Sequence, residues 1–243
     1  IKADLFDANT VYVVLDNHKY GDLNPYLVKS ADKGRTWISI RGNLPERTLL
    51  WRIVQDQIMP ELMFVGTEFG IWTTIDGGKK WIQLKGGLPT IPFRDLAIQR
   101  RENDLVGASF GRGFYILDDY SCLREIKPGS LEKEALLFPA RKAYWYIPKS
   151  SGGNSMGASY FTAPNPLYGT DFTYYLKEPL KTLKVIRTEE EQKLKKEGKE
   201  VVFPGWEAIT SERQQEEPGI WLIINDASGN VVRKLKGINA AGI

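Results

Sequence analysis

Along residues 1–125 the apolar positions fall in short runs, broken every few residues by Gly, Asp, Asn or Pro. That is the pattern of strands joined by turns, not of helices. The runs over 25–29 and 69–73 each read as a strand, and each leads into a matching octapeptide. Residues 30–37 are Ser-Ala-Asp-Lys-Gly-Arg-Thr-Trp, and residues 74–81 are Thr-Ile-Asp-Gly-Gly-Lys-Lys-Trp. Asp32 and Asp76, Gly34 and Gly78, and Trp37 and Trp81 are all 44 residues apart. A short strand follows each copy, then a stop: Gly42-Asn43-Leu44-Pro45 or Gly86-Gly87-Leu88-Pro89. The repeating unit is therefore larger than the octapeptide, as expected of stacked supersecondary units.

The chemistry of the octapeptide is that of a tight turn between two strands. An Asp carboxylate accepts backbone N–H groups across such a turn. The second Gly supplies a positive φ without a steric clash. The Trp ring packs on the sheet and anchors the next strand. Ser30, Asp32, Gly34, Thr36 and Trp37, with Thr74, Asp76, Gly78 and Trp81, are thus expected to be structural rather than catalytic. A third, weaker copy aligns Gly66-Thr67-Glu68-Phe69-Gly70 with Gly107-Ala108-Ser109-Phe110-Gly111. There the Asp turn is replaced by Asp118-Asp119-Tyr120-Ser121 and no Trp follows, a decay expected of a terminal repeat.

The pattern changes after residue 125. Residues 126–170 contain Ser150-Ser151-Gly152-Gly153-Asn154-Ser155 and several prolines, and read as an irregular linker. Tyr144-Trp145-Tyr146 before it reads as packing onto the first half, with a carbohydrate platform as the sharper alternative. Strands resume at 172–176. The runs 220–224 and 231–235 flank Asp226-Ala227-Ser228-Gly229-Asn230, a hairpin signal. Between them Thr188 and Glu191 form a capping-box pattern, predicting a charged helix near 188–198 that ends at Gly198. Glu189 with Lys193, and Glu191 with Lys195, have the spacing of ion pairs on its surface.

The octapeptide resembles the Asp-box, or BNR repeat, of sialidases, xyloglucanases and sortilin-type propellers. A longer set of strings is similar to the C-terminal end of large bacterial sortilin-like proteins, commonly labelled BNR-repeat glycosyl hydrolases. These are His18-Lys19-Tyr20-Gly21-Asp22, Gly66 to Gly70, Phe110-Gly111-Arg112-Gly113-Phe114-Tyr115-Ile116-Leu117-Asp118-Asp119, and Asn165-Pro166-Leu167-Tyr168-Gly169. The hairpin phrase resembles the Ig-like, FlgD-type sandwich that ends many secreted bacterial proteins. The resemblance implies an all-β chain: two to three incomplete β-propeller blades over 1–125, then part of an Ig-like β-sandwich over 171–243. Blades of this kind take roughly 40–50 residues and a ring needs at least four. A fragment of a larger propeller is therefore expected, its remaining blades being partners. The start at Ile1 rather than Met, with no signal peptide, fits that expectation. An extracytoplasmic location (periplasmic, secreted or cell-surface) is likewise implied by the resemblance.

The resemblance also separates two ends of each blade. The Asp-box turn joins the third and fourth strands, and the ligand face lies at the opposite end, at the turn between the second and third. Here those turns carry Glu68, Phe69, Phe110 and Arg112. Arg suits a carboxylate or sulfate, and the rings suit a sugar face. A glycosidase needs two carboxyl groups, about 5–5.5 Å apart for retention or about 6.5–9.5 Å for inversion. Glu68 is the one catalytic candidate, and a sialidase arginine triad is not assembled by Arg112 and Arg94. His18 reads as a solvated loop histidine beside Asp16, Lys19 and Asp22.

Composition narrows the classes further. One Cys and one His exclude a disulfide within the chain, a Cys-based metal cluster and a three-His zinc site, so no metal or other cofactor is expected. The net charge of +3 is mixed along the chain, unlike a nucleic-acid footprint. No apolar run reaches the length of a membrane span. The functional expectation is a ligand-binding or scaffold part of a propeller, holding a glycan or an extended peptide. The alternatives are a glycoside hydrolase completed by blades outside this chain, and an assembly factor of the kind found among photosystem-II assembly propellers.

Overall fold

The computed structural model describes residues 1–127, 129–143, 147 and 168–243. The expectations for Tyr144-Trp145-Tyr146, for the Ser150 to Ser155 stretch and for Asn165-Pro166-Leu167 lie outside these residues. The chain forms two compact units, residues 1–127 and 128–243.

The first unit is a row of three antiparallel meanders. The first sheet runs β1 (Lys2–Ala3), β2 (Val11–Asn17), β3 (Asp22–Ser30) and β4 (Ile38–Ser39), each strand paired with the next. The second repeats it with β5 (Leu50–Gln55), β6 (Met63–Thr67), β7 (Gly70–Thr74) and β8 (Ile82–Gln83). The third holds only β9 (Phe93–Gln99), β10 (Asp104–Ser109) and β11 (Phe114–Leu117), and the chain then turns into a 3₁₀ segment, Tyr120–Glu125. The three sheets have the form of propeller blades, the first two with four strands and the third incomplete with three.

Two apolar layers join the blades. Tyr12, Leu27, Ile40 and Leu44 from the first sheet meet Leu50, Ile53, Met63, Val65 and Trp81 of the second. Phe64, Ile71, Leu84 and Leu88 then meet Phe93, Leu96, Leu105 and Tyr120. Leu27, Ile40 and Leu44 recur 44 residues on as Ile71, Leu84 and Leu88, so the repeat carries its packing positions as well as its turn. The third blade is clamped by a buried network in place of an Asp-box. Asp56 is fully buried and accepts from Tyr120 Oη at 2.7 Å, Arg124 Nη2 at 2.6 Å, and the backbone N–H groups of Ile58 and Met59. Burial pushes the Asp56 carboxyl up, but these donors, Arg124 first, outweigh it and hold the group below its ordinary range.

The second unit is described by itself. Strand β12 (Ala135–Leu137) pairs with β13 (Tyr174–Leu176), and β14 (Trp221–Asn225) pairs with β15 (Val231–Lys236). The hairpin turn is held by Asp226, which accepts from the Ser228 and Asn230 backbones at 2.9 and 2.8 Å. Helix α1 spans Leu183–Lys196 and α2 spans Trp206–Gln214. The first helix starts earlier than the capping-box pattern predicts. Thr182 is its cap, accepting from Val185 N–H, whereas the Thr188 hydroxyl donates back to the Lys184 carbonyl within the helix. The ion pairs also differ: Arg187 bridges Glu191 and Glu212 of α2, and Lys181 takes Glu189.

Candidate functional site

The Asp-box turns form as the residue types dictate. In the first, Asp32 Oδ1 accepts from the Arg35 and Thr36 backbones, both at 2.9 Å, and from Ser30 Oγ at 2.8 Å. Thr36 Oγ1 donates to Asp32 Oδ2 at 2.6 Å. In the second, Asp76 Oδ1 accepts from Lys79 and Lys80 N–H at 3.0 Å and from Thr74 Oγ1 at 2.8 Å. Gly34 and Gly78 have φ of 86° and 94°, a region that favours glycine. The Thr36 hydroxyl above all, with the backbone donors, lowers the Asp32 carboxyl to about 2. In both turns one carboxylate oxygen, Oδ1, takes the hydroxyl donor and two backbone donors, which is the work of a turn staple. Their tryptophans differ: Trp81 is buried at 1% exposure, while Trp37 is 46% exposed. The expected packing of the Trp37 ring on the sheet is thus only half realised.

The opposite ends of the blades hold a different group. Glu68 and Phe69 sit in the β6–β7 turn, and Phe110 and Arg112 in the β10–β11 turn. Glu68 Oε2 accepts from Trp51 Nε1 at 3.1 Å. Trp51 lies on β5, whose start pairs with Thr67 at this same end. Arg94 at the start of β9 lays its guanidinium 3.5 Å over the Trp51 ring and 5.2 Å from the Phe110 ring. His18, in the turn between β2 and β3, meets Trp51 edge-on at 6.0 Å. Its Nδ1 is 2.6 Å from Asp16 Oδ2. Burial tends to raise the Asp16 carboxyl, but the His18 backbone and ring and the Arg94 charge outweigh it and lower the group.

Three successive blades therefore contribute to one cluster: Asp16 and His18, then Trp51 and Glu68, then Arg94 and Phe110. The cluster gathers Glu68 and Phe110 but not Arg112, which is exposed between Gly111 and Gly113 and makes no ion pair among the described residues. Phe69 stays half exposed, its carbonyl accepting from Gln83 Nε2 at 2.9 Å. Trp51 is not among the candidates that the sequence offers, and His18, expected to be solvated, instead meets the Trp51 ring. The available signal was positional: Leu50-Trp51-Arg52 and Phe93-Arg94-Asp95 both open the first strand of a blade, beside the turn that bears the candidates.

Chemically, the stack fixes a cation that makes no direct ion pair among the described residues, although Asp16 lies within its field. A guanidinium lying flat on an indole keeps its N–H edges available. Among the described residues Arg94 donates no hydrogen bond. Phe110, 68% exposed, adds an open ring. No group of His, Cys, Asp and Glu suited to a metal occurs among the described residues. Cys122 is half-buried, and burial raises its thiol, which keeps it protonated at neutral pH.

No family model matches the chain, and no curated protein matches it. Among solved structures it is similar to a GH74 enzyme of Niastella koreensis, at 18% identity and a TM-score of 0.38, over 46% of this chain and 20% of that one. It is similar to an ancestral GH74 enzyme at 16% and 0.34, over 43% and 15%. For the GH74 xyloglucanase from Xanthomonas campestris the values are 14% and 0.37, over 49% and 21%. The chain thus spans about a fifth of the length of these enzymes or less.

Proposed function

We propose that the cluster centred on Trp51 and Arg94 binds a glycan or an extended peptide, and that the chain is the ligand-displaying part of an extracytoplasmic Asp-box propeller protein of the sortilin-like, BNR-repeat kind. The observation that carries this reading is the convergence of side chains from three blades on one end of the row. Rings with fixed orientation, an arginine with free N–H edges and two carboxylates suit a polyhydroxylated or main-chain ligand. The Ig-like reading of the second unit and its role as an appended module belong to the same proposal. No helix among the described residues is long and apolar enough to cross a membrane.

Calorimetric titration with a panel of neutral and acidic oligosaccharides and extended peptides tests it. Binding is expected to fall at least tenfold in Trp51→Ala and in Arg94→Ala, with thermal unfolding of Arg94→Ala unchanged. Glu68→Ala is expected to leave stability almost unaltered. Absence of binding across the panel overturns the reading.

A second reading is favoured by one observation: Glu68 and Asp16 are carboxylates at the same end of adjacent blades. In it the cluster is part of a glycoside hydrolase site that blades outside this chain complete. Reducing-end release by the longer parent protein, lost in Glu68→Gln, would support it. Release that survives the substitution would remove Glu68 from the chemistry.

A further inference from the structure

Two arginines near the start of β5 and β9 are treated differently by their neighbours. Arg52 Nε meets Asp95 Oδ1 at 3.0 Å, so that charge is neutralised. One residue back in each strand, Arg94 instead lies flat on Trp51 at 3.5 Å. Asp16 feels the Arg94 charge, but it directs both oxygens to His18 Nδ1, at 2.7 and 2.6 Å. The β10–β11 turn brings a second arginine to the same end. Phe110 N–H donates to the Pro92 carbonyl at 2.9 Å, which ties this turn to the chain just ahead of Arg94. Ser109 N–H and Oγ both donate to the Gly113 carbonyl, at 3.0 and 2.8 Å, and close the turn. Gly111 and Gly113, with φ of 82° and 74°, leave Arg112 exposed at its tip. Phe110 thus has the Arg94 guanidinium 5.2 Å from its ring and Arg112 two residues further along the same turn.

Arginines by themselves suit any anion, and the groups around them narrow the choice. An ionised carboxylate only accepts hydrogen bonds. Glu68 takes Trp51 Nε1 on Oε2, and its Oε1 accepts nothing among the described residues. A ligand seated here therefore has to offer a donor to Glu68 and an acceptor to Arg94. A densely charged polyanion brings acceptors with few donors and is repelled by Glu68 and Asp16. A neutral sugar brings hydroxyl donors but no charge to match the guanidinium. The edge of a stacked guanidinium is planar, and a planar carboxylate meets it through two parallel hydrogen bonds. The exposed Phe110 ring suits the C–H face of a sugar.

We propose that the cluster takes an acidic glycan whose sugars carry carboxylates, a uronate chain. Arg94 holds the carboxylate of one sugar, Phe110 underlies a ring, Glu68 accepts a hydroxyl, and Arg112 meets the carboxylate of an adjoining sugar. This inference rests on the cluster being a binding site and goes further in naming the charge that its ligand bears.

Calorimetric titration of the full chain with tetrasaccharides of galacturonate and of mannuronate, each against its methyl ester, tests the proposal. The ester keeps the rings and hydroxyls and removes the charge. At least one uronate is expected to bind about tenfold more tightly than its ester. Its affinity is expected to fall as salt rises. Arg94→Gln is expected to bring the acid down to the level of the ester and to leave the ester where it was. Phe110→Ala is expected to weaken both forms, and Arg112→Gln to weaken the acid by a smaller factor than Arg94→Gln. The comparison of acid with ester needs no variant, so it decides even if a substitution prevents folding. Equal binding of acid and ester overturns the proposal and leaves the binding site standing. Tighter binding of a neutral oligosaccharide, a sulfated one or an acidic peptide than of either uronate does the same. Failure of every ligand to bind overturns both.

Discussion

Trp37 and Trp81 end two turns with nearly the same internal hydrogen bonds, yet one indole is half in solvent and the other is buried. The local chemistry is set by eight residues. The burial is set by what lies next to the turn in space, and among the described residues the second turn alone meets a segment of another blade through its Trp. The contrast shows that the Asp-box makes a turn by itself and makes a core only when another blade meets it.

The largest effect that this contrast predicts is at Trp81. Trp81→Ala is expected to cost about 3–5 kcal/mol, the usual range for truncating a buried large aromatic. Denaturant unfolding measures it, and a cost as small as that of the Trp37 variant would erase the distinction. Next is Asn43→Ala, expected to cost about 1–3 kcal/mol because the Trp81 N–H and carbonyl lose their partner beside the interface. Equal stability of this variant and the parent would show that the carboxamide only fills space. Trp37→Ala in the chain as it stands should cost less than about 1 kcal/mol, as a substitution at a half-exposed site. A loss above that of Asn43→Ala would mean that the ring is anchored more firmly than its exposure implies.

The smallest effect separates the two carboxylates. Thr36 lends a hydroxyl to Asp32 where the second turn has Lys80, which provides its backbone N–H. Thr36→Val is therefore expected to raise the Asp32 carboxyl from about 2 toward the ordinary range, read by NMR titration of the carboxyl carbon. A value unmoved by the change would assign the depression to the backbone donors alone. The sign for stability follows from linkage. A carboxyl lowered on folding stabilises fully above its unfolded pKa and loses that contribution as pH falls through about 2. Asp76 is lowered too, so the stability that both turns contribute should fade as the medium is acidified below the ordinary carboxylate range.

Legibility followed the range of the interaction. The Asp-box bonds join residues at most four apart, so their types and order predict them, and the strand pattern follows from the alternation around them. The hairpin turn at Asp226 was equally plain. The start of α1 was not. Thr182 and Thr188 are both able to cap, and the choice of Thr182 extends the helix over Leu183, Val185 and Ile186, which a charge pattern alone does not reveal. The stack of His18, Trp51, Arg94 and Phe110 was the least legible part. Its members are far apart in the chain; Phe110 stands out in its turn, but Trp51 and Arg94 each sit plainly at the start of a strand and His18 in a charged turn.

By itself the sequence determined a β-rich chain with a 44-residue unit, two Asp-stapled turns and a third that had lost its motif, because those features rest on hydrogen bonds and packing positions a few residues apart. The tertiary structure decided which tryptophan is buried, which arginine meets a ring and which carboxylates share a face. Those outcomes depend on side chains brought together by the stacking of one sheet on the next, and that stacking is a property of surfaces rather than of any short stretch of residues.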